Sequence, residues 1–242
     1  MMNLNDIDQN NFYSCSMNNR LIDLYSIVDN AFGPIFAEFN AATGNDCSLT
    51  NPFYAVVSES YSNAKNKVVI LGQETNTWGG EFEQGGEYQP SSTLPIVRLC
   101  RLYDLYVNHN NQDFGQYWNY CKRLMSLANK DTGFFFFNTA LVGLCGKTGC
   151  VKVIQPHILS EVFDIVQPNL IIFLCGPNYD DLIRSHFHNL IDFLPARKEY
   201  SSRQFSKIIG LCAPAFRCYH PGYLYRHSSV RASFEGIIRP LL

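Results

Sequence analysis

The chain has 242 residues, 46% hydrophobic and 17% charged, which supplies one sizeable core and excludes a disordered polypeptide. Formal charge is −2, which argues against a dedicated nucleic-acid coat, yet residues 1–121 carry 5 basic and 13 acidic side chains and residues 122–242 carry 14 and 8. This asymmetry predicts a basic face built by the C-terminal half, including Arg197, Lys198, Arg203, Lys207, Arg217, Arg226 and Arg231.

Apolar residues at helical spacing over 20–41 (Leu21, Leu24, Tyr25, Val28, Phe32) predict a helix that Gly33-Pro34 breaks or kinks. Residues 45–66 read as irregular. Lys67-Val-Val-Ile-Leu-Gly72 is a β-branched run of the kind buried on both faces of a sheet, and the polar, glycine-rich stretch Thr75 to Ser92 after it reads as a long functional loop. Helices are expected over 93–107 and 116–129, then a second strand over Phe134 to Asn138 and a glycine-rich loop from Gly143 to Gly149. Helical spacing resumes over 158–166. A third strand follows over Asn169 to Cys175, closed by Gly176-Pro177, then a helix over 179–190. A strand near Phe205 to Leu211, an Arg217 to His220 segment and a helix over 228–238 complete the pattern.

Short apolar strands alternating with helices predict a three-layer α/β/α sandwich with a short, mostly parallel central sheet in a single domain over 1–242, in which 1–66 form a helical and irregular N-terminal extension packed on the rest. No apolar run approaches the roughly 18 residues of a membrane span, and Met1 to Asn11 has no basic-then-apolar pattern of a leader, so a soluble, cytoplasmic protein is expected. Nine cysteines without a C-x-x-C pair read as reduced thiols serving as small hydrophobes. Cys145 and Cys150 lack a partner pair for a metal. Gly146-Lys147-Thr148 evokes a phosphate loop, but Leu141 stands where that motif needs glycine. His186 and His188, two apart on a helix, cannot share a face to hold a metal.

In an open parallel sheet, ligands bind beyond the carboxyl ends of the strands. Just past the strands stand Gly72-Gln73-Glu74, Asn138-Thr139 and Tyr219-His220-Pro221-Gly222, so a carboxylate, an amide and an imidazole are expected at one edge. Each has a use if the substrate is a nucleobase joined to a sugar. Glu74 would orient or deprotonate a water and offset the positive charge growing on the sugar. The Asn138 amide offers a donor and an acceptor side by side, matching the O4 and N3–H edge of uracil. A neutral His220 would donate to the departing base as it gains negative charge.

These segments resemble the uracil-DNA glycosylase superfamily. Gly72-Gln73-Glu74 after a Val-Val-Ile-Leu strand is similar to the family's G-Q-D-P-Y-H motif, and F-F-F-F-N-T-A-L over 134–141 to its L-L-L-N-T-x-L segment. Leu170 to Gly176 resembles the strand and glycine that follow, and His220-Pro221 resembles the H-P-S motif, with all four in the family's order over roughly 67–226. The resemblance implies that a flipped-out base is removed by N-glycosidic hydrolysis without metal or cofactor. It implies Glu74 in the place of the water-activating Asp, Gln73 with Gly72 against the base, Asn138 reading its edge and His220 stabilising the leaving base. Pro221, Gly222, Tyr223 and Arg226 would then approach the nucleic acid. Three departures stand out. Glu replaces Asp, Thr75-Asn76 replaces Pro-Tyr, and Gly222-Tyr223-Leu224 replaces Ser-Pro-Leu.

An aromatic floor for the base is expected from Trp78, Phe82 or Tyr88, with Tyr88 favoured. The expectation is therefore a monomeric DNA glycosylase acting on a deaminated or damaged base, with no membrane partner. A nucleic-acid-binding member of the same fold that has lost efficient catalysis and a hydrolase of free nucleosides stay open as alternatives.

Overall fold

Val68 to Leu71 are fully buried in the middle of strand β1 (Asn66–Gly72), because β-branched and aliphatic residues on both sides of the strand need cover on both faces. The computed structural model of the chain describes residues 15–43, 50–74, 93–108, 115–143 and 156–242, with side chains over 15–31, 50–74, 96–107, 115–143 and 156–242. Strands β2 (Thr132–Asn138), β3 (Leu170–Phe173), β4 (Asp192–Pro195), β5 (Phe205–Ile209) and β6 (Ala215–Cys218) join β1 in a six-stranded sheet of order β2-β1-β3-β6-β5-β4. The sheet is mixed. β1 pairs in parallel with β2 and β3, and β3 with β6, while β5 is antiparallel to both β6 and β4.

Alternation along β2 shows the layering directly, since successive residues of a strand face opposite ways. Phe135 meets Tyr61 and Tyr103, and Phe137 meets Phe53, on one face; Phe136 meets Trp118 on the other. The first face carries helices α1 (Ser16–Thr43), α2 (Glu59–Ser62), α3 (Thr93–Tyr103) and α5 (Leu159–Val166), of which α1 packs on α3 and α5. The second carries α4 (Gly115–Leu127), α7 (Pro221–Arg226) and α8 (Ser228–Ile238), with α7 packed on both others. Helix α6 (Asp180–His186) follows a 3-10 turn over Pro177–Tyr179. Helices on both sides of a mixed sheet are consistent with a three-layer α/β/α arrangement.

Several expectations change. Helix α1 runs through Gly33-Pro34 without a break. Proline forfeits one backbone hydrogen bond, while Leu21, Tyr25 and Val28 bury the preceding turns and the Tyr25 hydroxyl donates to Ala55 O at 2.7 Å. Within the stretch read as irregular, α2 forms where Ser58 caps the Tyr61 N–H, and Phe53 to Val57 belong to the core. The helix expected to reach Leu190 ends at His186, followed by His188 and Asn189 at φ +51 and +61.

Arg217 leaves the expected basic face altogether. It is fully buried, with Nε and Nη2 each donating to the Asp180 carboxylate at 2.8 Å and further bonds to Ser202 O and Arg203 O. A guanidinium on a central strand is tolerable only with its donors satisfied in this way.

Candidate functional site

Past the end of the sheet the chain segments continue to bond one another. Leu174 N–H donates to Leu71 O at 2.8 Å and Gly176 N–H to Cys218 O at 2.9 Å, while Thr139 and Ala140 donate to Gly72 O and Gln73 O at 3.1 and 2.9 Å. Side chains strengthen the seam: Thr139 Oγ1 donates to Gly72 O at 2.7 Å and Gln73 Nε2 to Cys175 O at 2.9 Å. His186, buried at the end of α6, donates from Nε2 to Thr139 O at 2.8 Å. Burial pushes its pKa down to about 3, so the imidazole is neutral and its N–H ties the end of α6 to the segment after β2.

These bonds hold the segments after β1, β3 and β6 around a cavity of about 400 Å³, completed by α4 and α7. The volume lies in the range of small-ligand sites. Gln73, Gln116, Gly176, Tyr219, His220 and Arg226 line it, together with Cys175, Asn178, Gly222 and Tyr223. Burial pushes the Cys175 thiol up to about 12, so the cavity carries no thiolate at neutral pH.

The decisive group is His220. Its Nδ1 accepts the Gly222 N–H at 3.2 Å, so that nitrogen holds no proton and the neutral ring keeps its one N–H on Nε2. Burial of the ring lowers its pKa below the ordinary histidine value, favouring this uncharged donor form. Gly222 carries the bond at a crowded point: a Cβ there would stand 2.5 Å from Gln116 Oε1. No protein-family model, curated protein or solved structure matches the chain.

The structure thus gathers Gln73, His220, Gly222, Tyr223 and Arg226 around one cavity, with Pro221 buried as the first residue of α7. Asn138 and Glu74 are not in its lining. Asn138 lies across from Gly72 in the β1–β2 register, and its Oδ1 sits so close above Gly72 that a Cβ there would be 2.7 Å away. Only 9% exposed, its amide has no hydrogen bond among the described residues. Glu74 follows Gln73, half-buried. Trp78, Phe82 and Tyr88 lie outside the described residues, as do Cys145, Cys150 and Gly146-Lys147-Thr148.

Gln116, Cys175, Asn178 and Tyr219 join the lining without having been singled out from the sequence for it. Cys175 and Tyr219 were findable, as the residues just beyond β3 and β6. Gln116 sits at the start of a helix with no motif and reaches the site only through the packing of α4 on α7. Among the described residues no group of His, Cys, Asp and Glu has the arrangement to hold a metal ion, and no helix is long and apolar enough to cross a membrane.

Proposed function

We propose that the cavity accepts a nucleobase and that the chain hydrolyses the N-glycosidic bond of a deaminated or damaged base extruded from DNA, as a divergent member of the uracil-DNA glycosylase superfamily working without metal or cofactor. The observation that carries this reading is His220, a half-buried imidazole lining the cavity with Nδ1 committed to Gly222, which leaves Nε2–H as its donor. Hydrolysis by this route begins as the bond stretches and the electron pair moves onto the base. Nε2–H then donates to the base oxygen that becomes negative, worth on the order of 3 kcal/mol for one well-placed donor. A water adds to the anomeric carbon, its proton passing to the Glu74 carboxylate. Gln73, held by Cys175 O, stands against the base, and the amide of Asn138, without a hydrogen bond among the described residues, supplies a donor and an acceptor for its edge. Tyr223 and Arg226, with Gly222 and Pro221, supply contacts to the strand.

Release of free base is the test, measured on strands carrying uracil, hypoxanthine or xanthine and read as alkali-labile abasic sites. Wild type is expected to cleave at least one of these, with His220→Ala and Glu74→Ala each slower by roughly a hundred-fold or more. Absence of abasic product from every strand overturns the reading. One observation favours a second reading, a nucleic-acid-binding member that does not cleave: Glu74 stands outside the cavity lining. Tight binding of the strands without product would support it.

A further inference from the structure

Three rings leave the cavity in file. Tyr219 and Tyr223, both in its lining, stack with centroids 4.1 Å apart and planes inclined by 27°, and His227 continues the stack on Tyr223 at 3.9 Å and 25°. Steps of four residues along α7 and its flanks put the rings on one side of the helix. The inner end of the file is closed, because Gly176, at φ +79, lays its backbone against Tyr219, where an added Cβ would be 3.3 Å from the ring. The outer end is open: His227 is exposed, and among the described residues Tyr223 is the one ring it meets. One cation stands beside the file: Arg226 is exposed at the cavity that Tyr219 and Tyr223 line, with no acidic partner among the described residues.

We propose that the outer face of His227 is a stacking subsite for the nucleotide next to the one whose base fills the cavity, and that the site therefore favours an unpaired strand over an intact duplex. The ring separations approach the ~3.4 Å rise of stacked bases, so an added base would extend the column in step. A base inside a duplex has neighbours on both faces until one of them is extruded, so a duplex must be unstacked before it can offer a face to His227, whereas an unpaired strand offers one without that cost. Stacking of this kind tolerates any base, which suits a position beside the one being read, while Arg226 at the cavity mouth is available to meet a phosphate of the same strand. The proposal rests on the reading of the cavity as a base pocket.

Fluorescence anisotropy with the full chain tests it, using a short labelled DNA of mixed, undamaged sequence, single-stranded or annealed into a blunt duplex. The single strand is expected to bind more tightly. His227→Ala should weaken single-strand binding about ten-fold with little effect on the duplex, and His227→Phe should restore it, since a benzene ring keeps the stacking face. Because His227 is exposed, both variants should unfold at the same temperature as wild type. Equal binding of the two DNAs by wild type, or an unchanged affinity in His227→Ala, overturns the subsite. Base release by a protein whose binding ignores His227 would sink the stack and leave the glycosylase reading standing. Dependence on His227 with no base ever released would do the reverse.

Discussion

The Gly222 N–H settles which nitrogen of His220 carries the proton, and the pH dependence of any reaction at the cavity follows from that. A ring whose pKa is lowered by burial is still mostly neutral at the ordinary value of 6.5, so its Nε2–H donor form predominates there. Base release governed by His220 is therefore expected to keep more than half of its plateau rate at pH 6.5 and to reach half only below it. A pH–rate profile with excess substrate checks this, and a rate already halved at 6.5 or above would show that the imidazole must be neutral in a more exposed setting than the one seen. His220 was legible in the sequence because it follows an apolar segment and precedes proline at a strand end. Gln116 was not, since nothing along the chain records that the first turn of α4 packs over Gly222. Asn138 was legible as a strand-end amide. That its Oδ1 would rest on Gly72 depends on the pairing register, which no single strand specifies.

Elements differ in how openly they announce themselves. β1, β2 and β3 are apolar runs with cover on both faces, and each was readable within a few residues. β4 was not, because Asp192-Phe-Leu-Pro195 is a largely exposed edge strand, short and closed by proline, as edges often are. Helix α7 escaped as well: six residues opening on Pro221 give too little periodicity to register, though proline in the first turn suits a helix start. Arg217 joins these elements. From β6 its guanidinium ties the start of α6, through Asp180, to the Ser202 and Arg203 carbonyls before β5. Removing one partner strands the Asp180 carboxylate beside an empty space, so Arg217→Ala is expected to cost about 3–5 kcal/mol, read as the shift of the urea midpoint. The double variant Arg217→Met with Asp180→Leu should recover much of that, because an apolar pair leaves no uncompensated charge. A loss below about 1 kcal/mol in the single variant would mean that the pair contributes little beyond its own desolvation.

Across the whole molecule the cavity draws its walls from parts of unequal firmness. β1 and β3 lie between other strands with every residue from Val68 to Leu71 and from Leu170 to Phe173 buried, and the bonds through Leu174, Thr139 and Ala140 extend that support to the ends where Gln73 and Gly176 sit. β4 has a single neighbour and mostly exposed side chains, and stands at the far edge from β2. Amide exchange should follow this gradient. In native conditions the amides of β1 and β3 are expected to exchange only through global opening, with protection close to the full unfolding free energy, whereas those of β4 exchange through local fraying. His220, in the cap of α7, should fall between, since one side of its wall is the buried end of β6 and the other a helix of six residues. On the proposed function, such a gradient would give the base a fixed floor and put the less supported wall on the side of α7. Hydrogen exchange followed by mass spectrometry checks the order. If β4 proved as protected as β1, the sheet would open as one unit and the gradient along it would not exist.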